Sequence, residues 1–234
     1  MRGAYPRRKR HIVLWYIRRL PTAEGAEEVI RTVEQAHRNE VHLTGAALGA
    51  PEFSHTYRQE RFYRFPLRLT RLSGQCDEVA VLLHEDQAAG GAVVPGARLD
   101  IAGQLRSYNN RSGVGRRLVL TVFAQSLGPG DGEDRNLVRL AGALCKAPLC
   151  RSTPLGRRIC DMMLAVNRRC GRTDYIPCIA WGALARQIGA MAVGEHVAFS
   201  GRMQSRLYYK RTEEGVQART AYEVSVMCLE EETV

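Results

Sequence analysis

The chain repeats itself. NEVHLTGAALGAP, Asn39 to Pro51, returns as NLVRLAGALCKAP, Asn136 to Pro148, at an offset of 97 residues. The offset holds without a gap between RFYRFPLRLTRLSGQCDEVAVLLH (Arg61 to His84) and RICDMMLAVNRRCGRTDYIPCIAW (Arg158 to Trp181). Of the 46 positions from 39 to 84, 13 are identical to their counterparts from 136 to 181. Chance aligns a few apolar residues, but not Asn, Gly, Pro, Arg, Gly and Asp in register as well. After a one-residue shift, GARLDIAGQLRS (Gly96 to Ser107) matches GEHVAFSGRMQS (Gly194 to Ser205). A period of this length implies two copies of one unit of about 95 residues. The organisation that follows is an extension over 1–38, a first copy over 39–127, a linker over 128–135 and a second copy over 136–234. GPGDGED (Gly128 to Asp134) has the composition of a solvated linker.

The second copy reads as strands. Val138 to Cys145 alternates as a half-buried strand does, Cys150 to Gly156 carries the turn Pro154-Leu155-Gly156, and Ile159 to Asn167 is the next strand. A basic loop, Asn167 to Thr173, leads to Asp174–Trp181. Gly182 to Met191 has apolar residues at helical spacing, His196 to Tyr209 and Val216 to Leu229 are strands, and KRTEEG (Lys210 to Gly215) is a hairpin tip. The order β-β-β-α-β-β predicts an all-β chain with one short helix per repeat, arranged as two tandem OB folds, each a five-stranded Greek-key barrel. A β-sandwich is the alternative architecture.

Charge narrows the partners. Of the 34 basic residues, 31 are Arg, and the net charge is +10. About half of that excess lies in residues 1–38 and most of the rest in the second copy. A basic, Arg-rich chain suits a polyanion, because guanidinium forks onto phosphates and stacks on bases. A base-composition bias of the coding DNA would also enrich Arg. No apolar run approaches the ~20 residues of a membrane span, and no secretory leader is visible, so the expected location is cytoplasmic. The seven cysteines have no paired spacing, and reduced thiols in strands are expected. No phosphate loop, HExxH or GxSxG motif occurs. No enzyme activity, cofactor or metal is therefore expected.

Period two sorts the strand residues by face. Tyr175, Pro177, Ile179 and Trp181 share one face of their strand; Arg202, Gln204, Arg206 and Tyr208 share one face of theirs. Aromatic rings beside guanidiniums are what a sequence-tolerant single-strand binder needs, since every base has a face to stack. Arg168, Arg172 and Lys210 in neighbouring loops would add phosphate contacts. In the first copy GQLRSYNN (Gly103 to Asn110) offers Arg106 and Tyr108. RSGVGRR (Arg111 to Arg117), read as a basic hairpin tip, offers Arg111, Arg116 and Arg117. RFYRF (Arg61 to Phe65) is either a stacking patch or barrel filling. Phe62 and Phe65 fall on opposite faces, so one of them fills the barrel. Thr22 to His37 reads as a short helix. PRRKRHIVLWYIRR (Pro6 to Arg19) is open between an arm that touches nucleic acid, a membrane-surface helix and an upstream extension.

NLVRLAGAL, RICDMMLAVNRR, DYIPCIAWGALA, GEHVAFSGRMQSRLYYK and TAYEVSVMCLE together resemble the bacterial single-stranded DNA-binding protein family over Asn136 to Leu229. The first copy resembles a diverged member. The resemblance implies sequence-independent binding of single-stranded DNA in replication, recombination or repair, and association with the nucleoid. It places the family's base-stacking aromatics on Tyr175, Trp181 and Tyr208. A fourth place falls on Cys170, a departure. The first-copy counterparts are Ser73, Glu78, His84 and Asn110 or Tyr108, which implies weaker binding there, or binding through different groups. Family members with one fold per chain work as tetramers, so a chain with two folds is expected to form a homodimer. The opening strands, Val41–Leu48 and Val138–Cys145, are the candidates for contacts between folds. The ending LEEETV lacks the family's acidic tail with its Pro-Phe tip, so tail-mediated recruitment of replication enzymes is not expected. RNA remains open as a partner at the same surface. The competing function is an accessory, primosome-type assembly module that binds nucleic acid weakly.

Overall fold

Gly45 and Gly142, one repeat apart, mark where each barrel shuts. A Cβ on Gly45 would lie 2.3 Å from the carbonyl oxygen of Arg68, and one on Gly142 would lie 2.5 Å from that of Ala165. Only a residue without a side chain lets the opening strand come this close to its neighbour. The computed structural model describes residues 37–110, 118–212 and 215–230. The arm over residues 6–19 and the part of the Thr22–His37 helix before residue 37 lie outside them.

The first copy consists of β1 (Asn39–Ala47), β2 (Glu52–Tyr57), β3 (Glu60–Thr70), β4 (Cys76–His84), α1 (Glu85–Ala89), β5 (Arg98–Asn109) and β6 (Leu118–Pro129). The second consists of β7 (Arg135–Leu144), β8 (Leu149–Ser152), β9 (Arg158–Asn167), β10 (Thr173–Trp181), α2 (Gly182–Gly189), β11 (His196–Thr212) and β12 (Gly215–Glu230). In each copy five strands close a barrel. β1 pairs with β3 and β5, β3 with β4, β5 with β6, and β4 runs parallel to β6. β7, β9, β10, β12 and β11 repeat the circuit. This is the OB barrel, one short helix per copy, that the strand order predicts.

Each copy has one strand more than expected. The turn read at Pro154-Leu155-Gly156 is present, and the residues ahead of it, Leu149–Ser152, form β8, which pairs with β9. The first-copy equivalent of β8 is β2, paired with β3. Both lie outside the barrel circuit, where they cover backbone donors and acceptors that an open strand edge would leave unpaired. The segment Gly128–Asp134 also departs from a solvated tether. β6 continues to Pro129, and the Asp134 carboxylate accepts the Thr70 backbone N–H at 2.6 Å and pairs with Arg98 at 2.8 Å. Burial alone would raise the Asp134 pKa, but the Thr70 and Arg98 hydrogen bonds outweigh it and hold the carboxyl below its ordinary range.

The cores follow the alternation. In β3, Phe65, Leu67 and Leu69 point inward; in β10, Ile176, Cys178 and Ala180 do. Asn39 and Asn136 extend the β1–β5 and β7–β11 ladders beyond their last backbone pairs. Each side-chain amide accepts from and donates to one backbone unit, Leu105 for Asn39 and Met203 for Asn136, at 2.8–2.9 Å.

The two barrels share a sheet. β1 pairs antiparallel with β7 from Asn39↔Leu140 to Thr44↔Arg135, which makes one twelve-stranded sheet. The opening strands are thus the contact between folds, within one chain, and they meet through backbone edges rather than side-chain faces. Two reciprocal hydrogen bonds flank them. Asp174 in β10 accepts from the backbone N–H of Ser107 in β5 at 2.7 Å, and Asp77 in β4 accepts from that of Ser205 in β11 at 2.8 Å. The junction therefore has an approximate two-fold character imposed by the repeat.

Candidate nucleic-acid interface

Trp181 and Tyr175 both point outward from β10, 39% and 44% exposed. Six residues of strand at ~3.3 Å each set them about 20 Å apart. Ile179 pairs with Ser225, which pairs with Arg202, so the outward residues of β10, β12 and β11 do share a face. The middle of that face is closed. Ile179, Ser225, Gln204 and Glu223 are buried, and Gln204 Nε2 donates to Glu223 Oε1 at 2.8 Å. The continuous strip expected from parity is two exposed ends. Arg206 is exposed, with its Nε 3.7 Å from Glu223 Oε1. Arg202 is half-buried; burial lowers its pKa, and the charge of Arg71 lowers it further. Tyr208 and Lys210 lie on β11, paired with Arg219 and Gln217. Arg111, Arg116 and Arg117 lie outside the described residues.

Arg106 and Arg168, expected on the binding surface, meet at the junction. Arg168 donates from Nε and Nη2 to the two oxygens of Asp174, and Arg106 Nη1 lies 3.3 Å from Asp174 Oδ2. Asp174 is wholly buried, and a buried carboxylate requires this compensation. Two cations on one anion leave positive charge over. Burial, then Arg168, lower the Arg106 pKa. Arg71 grips Asp77 in the same two-pronged way, at 2.6 Å twice.

Beside this cluster opens a groove of about 840 Å³. Its wall from the first copy carries Phe53, His55 and Tyr57 of β2, Phe62 and Arg64 of β3, Arg106 and Tyr108 of β5, and Thr121 and Phe123 of β6. Arg168, Arg172 and Thr173 of the second copy form the opposite side. The structure thus gathers four of the expected residues, Arg106, Tyr108, Arg168 and Arg172, in one place. Phe62 stacks on His55, centroids 5.1 Å apart and 13° from parallel, and Arg106 lies over Phe123 at 5.9 Å. Arg172 reaches across the copies, over the Tyr57 ring at 5.1 Å and with a 2.9 Å hydrogen bond to its hydroxyl. Of the RFYRF pair, Phe65 fills the barrel and Phe62 floors the groove. Phe53, His55, Tyr57, Arg64, Thr121 and Phe123 had no signal as a set, since they come from three strands that only pairing brings together. The parity of Phe62 with Arg64 was the one visible hint.

A profile described as the single-strand binding protein family matches residues 135–230. The second copy belongs to the single-strand binding protein family. Two solved structures extend the likeness over both copies. The wild-type single-stranded DNA binding protein from Thermus aquaticus is 26% identical, covering 85% of this chain and 94% of that one with a TM-score of 0.64. A deletion mutant of it is 25% identical, covering 86% and 97% with a TM-score of 0.65. The N-terminal domain of PriB protein from Thermoanaerobacter tencongensis is 36% identical, over 40% of this chain and 98% of that one, with a TM-score of 0.35. No curated protein sequence matches.

The second copy exposes Tyr175 and Trp181; of their first-copy counterparts, Glu78 is exposed but not aromatic, and its backbone N–H reaches Ser205 Oγ at 3.3 Å as that of Tyr175 reaches Ser107 Oγ at 2.7 Å. His84 caps α1 by accepting from the Asp86 N–H, whereas Trp181 precedes α2 with no side-chain cap. Among the described residues, no cluster could hold a metal ion and no helix is long and apolar enough to cross a membrane.

Proposed function

We propose that the chain binds single-stranded DNA without sequence preference and protects single strands in replication, recombination or repair. The carrying observation is the pair of exposed aromatics, Trp181 and Tyr175, on the copy that belongs to the single-strand binding family. In this reading bases stack on Trp181, Tyr175 and Tyr208. Arg172, Arg202, Arg206 and Lys210 contact phosphates, as do Arg111, Arg116 and Arg117 of the segment between β5 and β6 in the chain. Arg106 and Arg168 contribute through the surplus charge of the Asp174 cluster. The functional units are the copies over 39–127 and 136–234, joined at 128–135. The active form is a homodimer of two-fold chains, associated with the nucleoid in the cytoplasm, and RNA competes at the same surface because stacking tolerates either sugar.

Titration of tryptophan fluorescence with poly-dT, poly-U and duplex DNA tests the reading. Poly-dT should quench Trp181 and bind far more tightly than duplex. Log affinity should fall with log salt by about 0.7 per phosphate neutralised. Duplex binding equal to poly-dT, or an affinity indifferent to salt, would overturn it.

A further inference from the structure

We infer that the groove between the copies is a base-binding site of the first copy, taking an unstacked nucleotide of the bound strand; this rests on the single-stranded DNA reading above. Of the four stacking places that the resemblance implies in this copy, three hold Ser73, Glu78 and His84, which offer no exposed aromatic platform, and the fourth falls on Asn110 or Tyr108, of which Tyr108 is exposed and lines the groove. The groove supplies a platform from other strands. Phe62 and Phe123, 6.3 Å apart, form an aromatic floor, and Tyr57 stands at the rim, 40% exposed.

Three further observations favour a nucleotide over a plain apolar ligand. Thr121 lines the groove, and its hydroxyl is buried with no hydrogen-bond partner among the described residues. A buried polar atom left unpaired is costly, and every base edge carries groups able to pair with it. Among the described residues, four arginines and no carboxylate line the groove, which suits phosphate and repels nothing anionic. The volume, about 840 Å³, falls in the ~300–1,000 Å³ range of small-ligand sites. The groove is also continuous with the second copy's surface. Its residue Ser107 accepts the backbone N–H of Tyr175 at 2.7 Å, so a strand leaving the groove arrives at the outward ring of Tyr175. The first copy therefore binds through Phe62, Phe123, Tyr57 and Thr121, and Arg172 of the second copy holds the strand at the crossing.

The experiment compares the full chain with Tyr57→Ala, Phe123→Leu, Thr121→Val and Trp181→Ala. Each is titrated with a dT oligonucleotide and melted without DNA. A 5-iodouracil-substituted oligonucleotide is also photocrosslinked to the unaltered chain. Tyr57→Ala and Phe123→Leu should weaken binding roughly tenfold each, the usual loss for one stacked base. Thr121→Val should weaken binding yet raise the melting temperature, because it removes an unpaired buried hydroxyl. Crosslinks should fall within residues 52–64 or 118–129. If Trp181→Ala weakens binding while the three groove variants bind like the unaltered chain, and no crosslink falls in those segments, the groove is not a DNA site and the functional reading stands. If the unaltered chain does not bind the oligonucleotide, the functional reading falls first and this inference with it.

Discussion

The buried carboxylate of Asp174 in the second copy accepts a 2.7 Å hydrogen bond from the backbone N–H of Ser107 in the first. The same carboxylate holds Arg106 and Arg168, so one side chain joins two barrels and sets the position of two arginines. Asp174→Ala would leave two half-buried guanidiniums and a backbone donor unmatched. Breaking a buried pair in this way costs about 3–5 kcal/mol, and urea unfolding should show a midpoint lowered accordingly. Asp77→Ala should act in the same direction through Arg71 and Ser205.

Trp181 precedes α2 without capping it, so its ring is not needed to start the helix. Trp181→Ala should lower affinity for a dT oligonucleotide by about 1–3 kcal/mol and leave the far-ultraviolet circular dichroism spectrum unchanged. Binding by anisotropy equal to that of the unaltered chain would remove Trp181 from the surface.

The β2–β3 hairpin turns at Arg58 and Gln59, with φ of 52° and 69°. Both sit in the left-handed region, which costs an L residue with a Cβ about 1–2 kcal/mol. Gln59→Gly should therefore raise the melting temperature. The turn lies next to Tyr57, where the groove meets Arg172, and its strain is consistent with a site that holds a fixed rim.

Thiol chemistry offers a separate check. A backbone hydrogen bond at Arg172, with the charges of Arg168 and Arg172, holds the exposed Cys170 thiol below its ordinary pKa despite a small opposing effect of burial. Burial and the neighbouring Cys150 push Cys160 up to about 12, and burial raises Cys178 well above the usual value. At pH 7.5 the thiolate fraction of Cys170 is thus the largest of the three. Iodoacetamide followed by peptide mass spectrometry should label Cys170 first, with Cys160 and Cys178 slow. In the proposed reading the bound strand contacts Arg172, two residues from Cys170, so oligo-dT should slow Cys170 labelling.

The intrachain β1–β7 pairing occupies the backbone edges of both opening strands, so two chains cannot associate by pairing those edges. Light scattering should give twice the chain mass of 26.1 kDa. The mass of a single chain would reject the dimer, and that of four chains would reject the argument from counting folds.

Much of this was legible in the chain. The 97-residue offset required two like units, and the parity of Tyr175 and Trp181 put both rings outside. Those are local properties: a strand's period reports its own two faces wherever the strand goes. Period two could not report that Ile179, outward by parity, is covered, nor that a strand, Leu149–Ser152, precedes the turn at Pro154-Leu155-Gly156. It could not say that Arg106 and Arg168 face a carboxylate from two different copies. Nor could it bring Tyr57, Phe62, Thr121 and Phe123 to one groove. Each of these depends on which strands become neighbours, and that is settled by barrel closure and the β1–β7 pairing, between residues tens of positions apart in the chain.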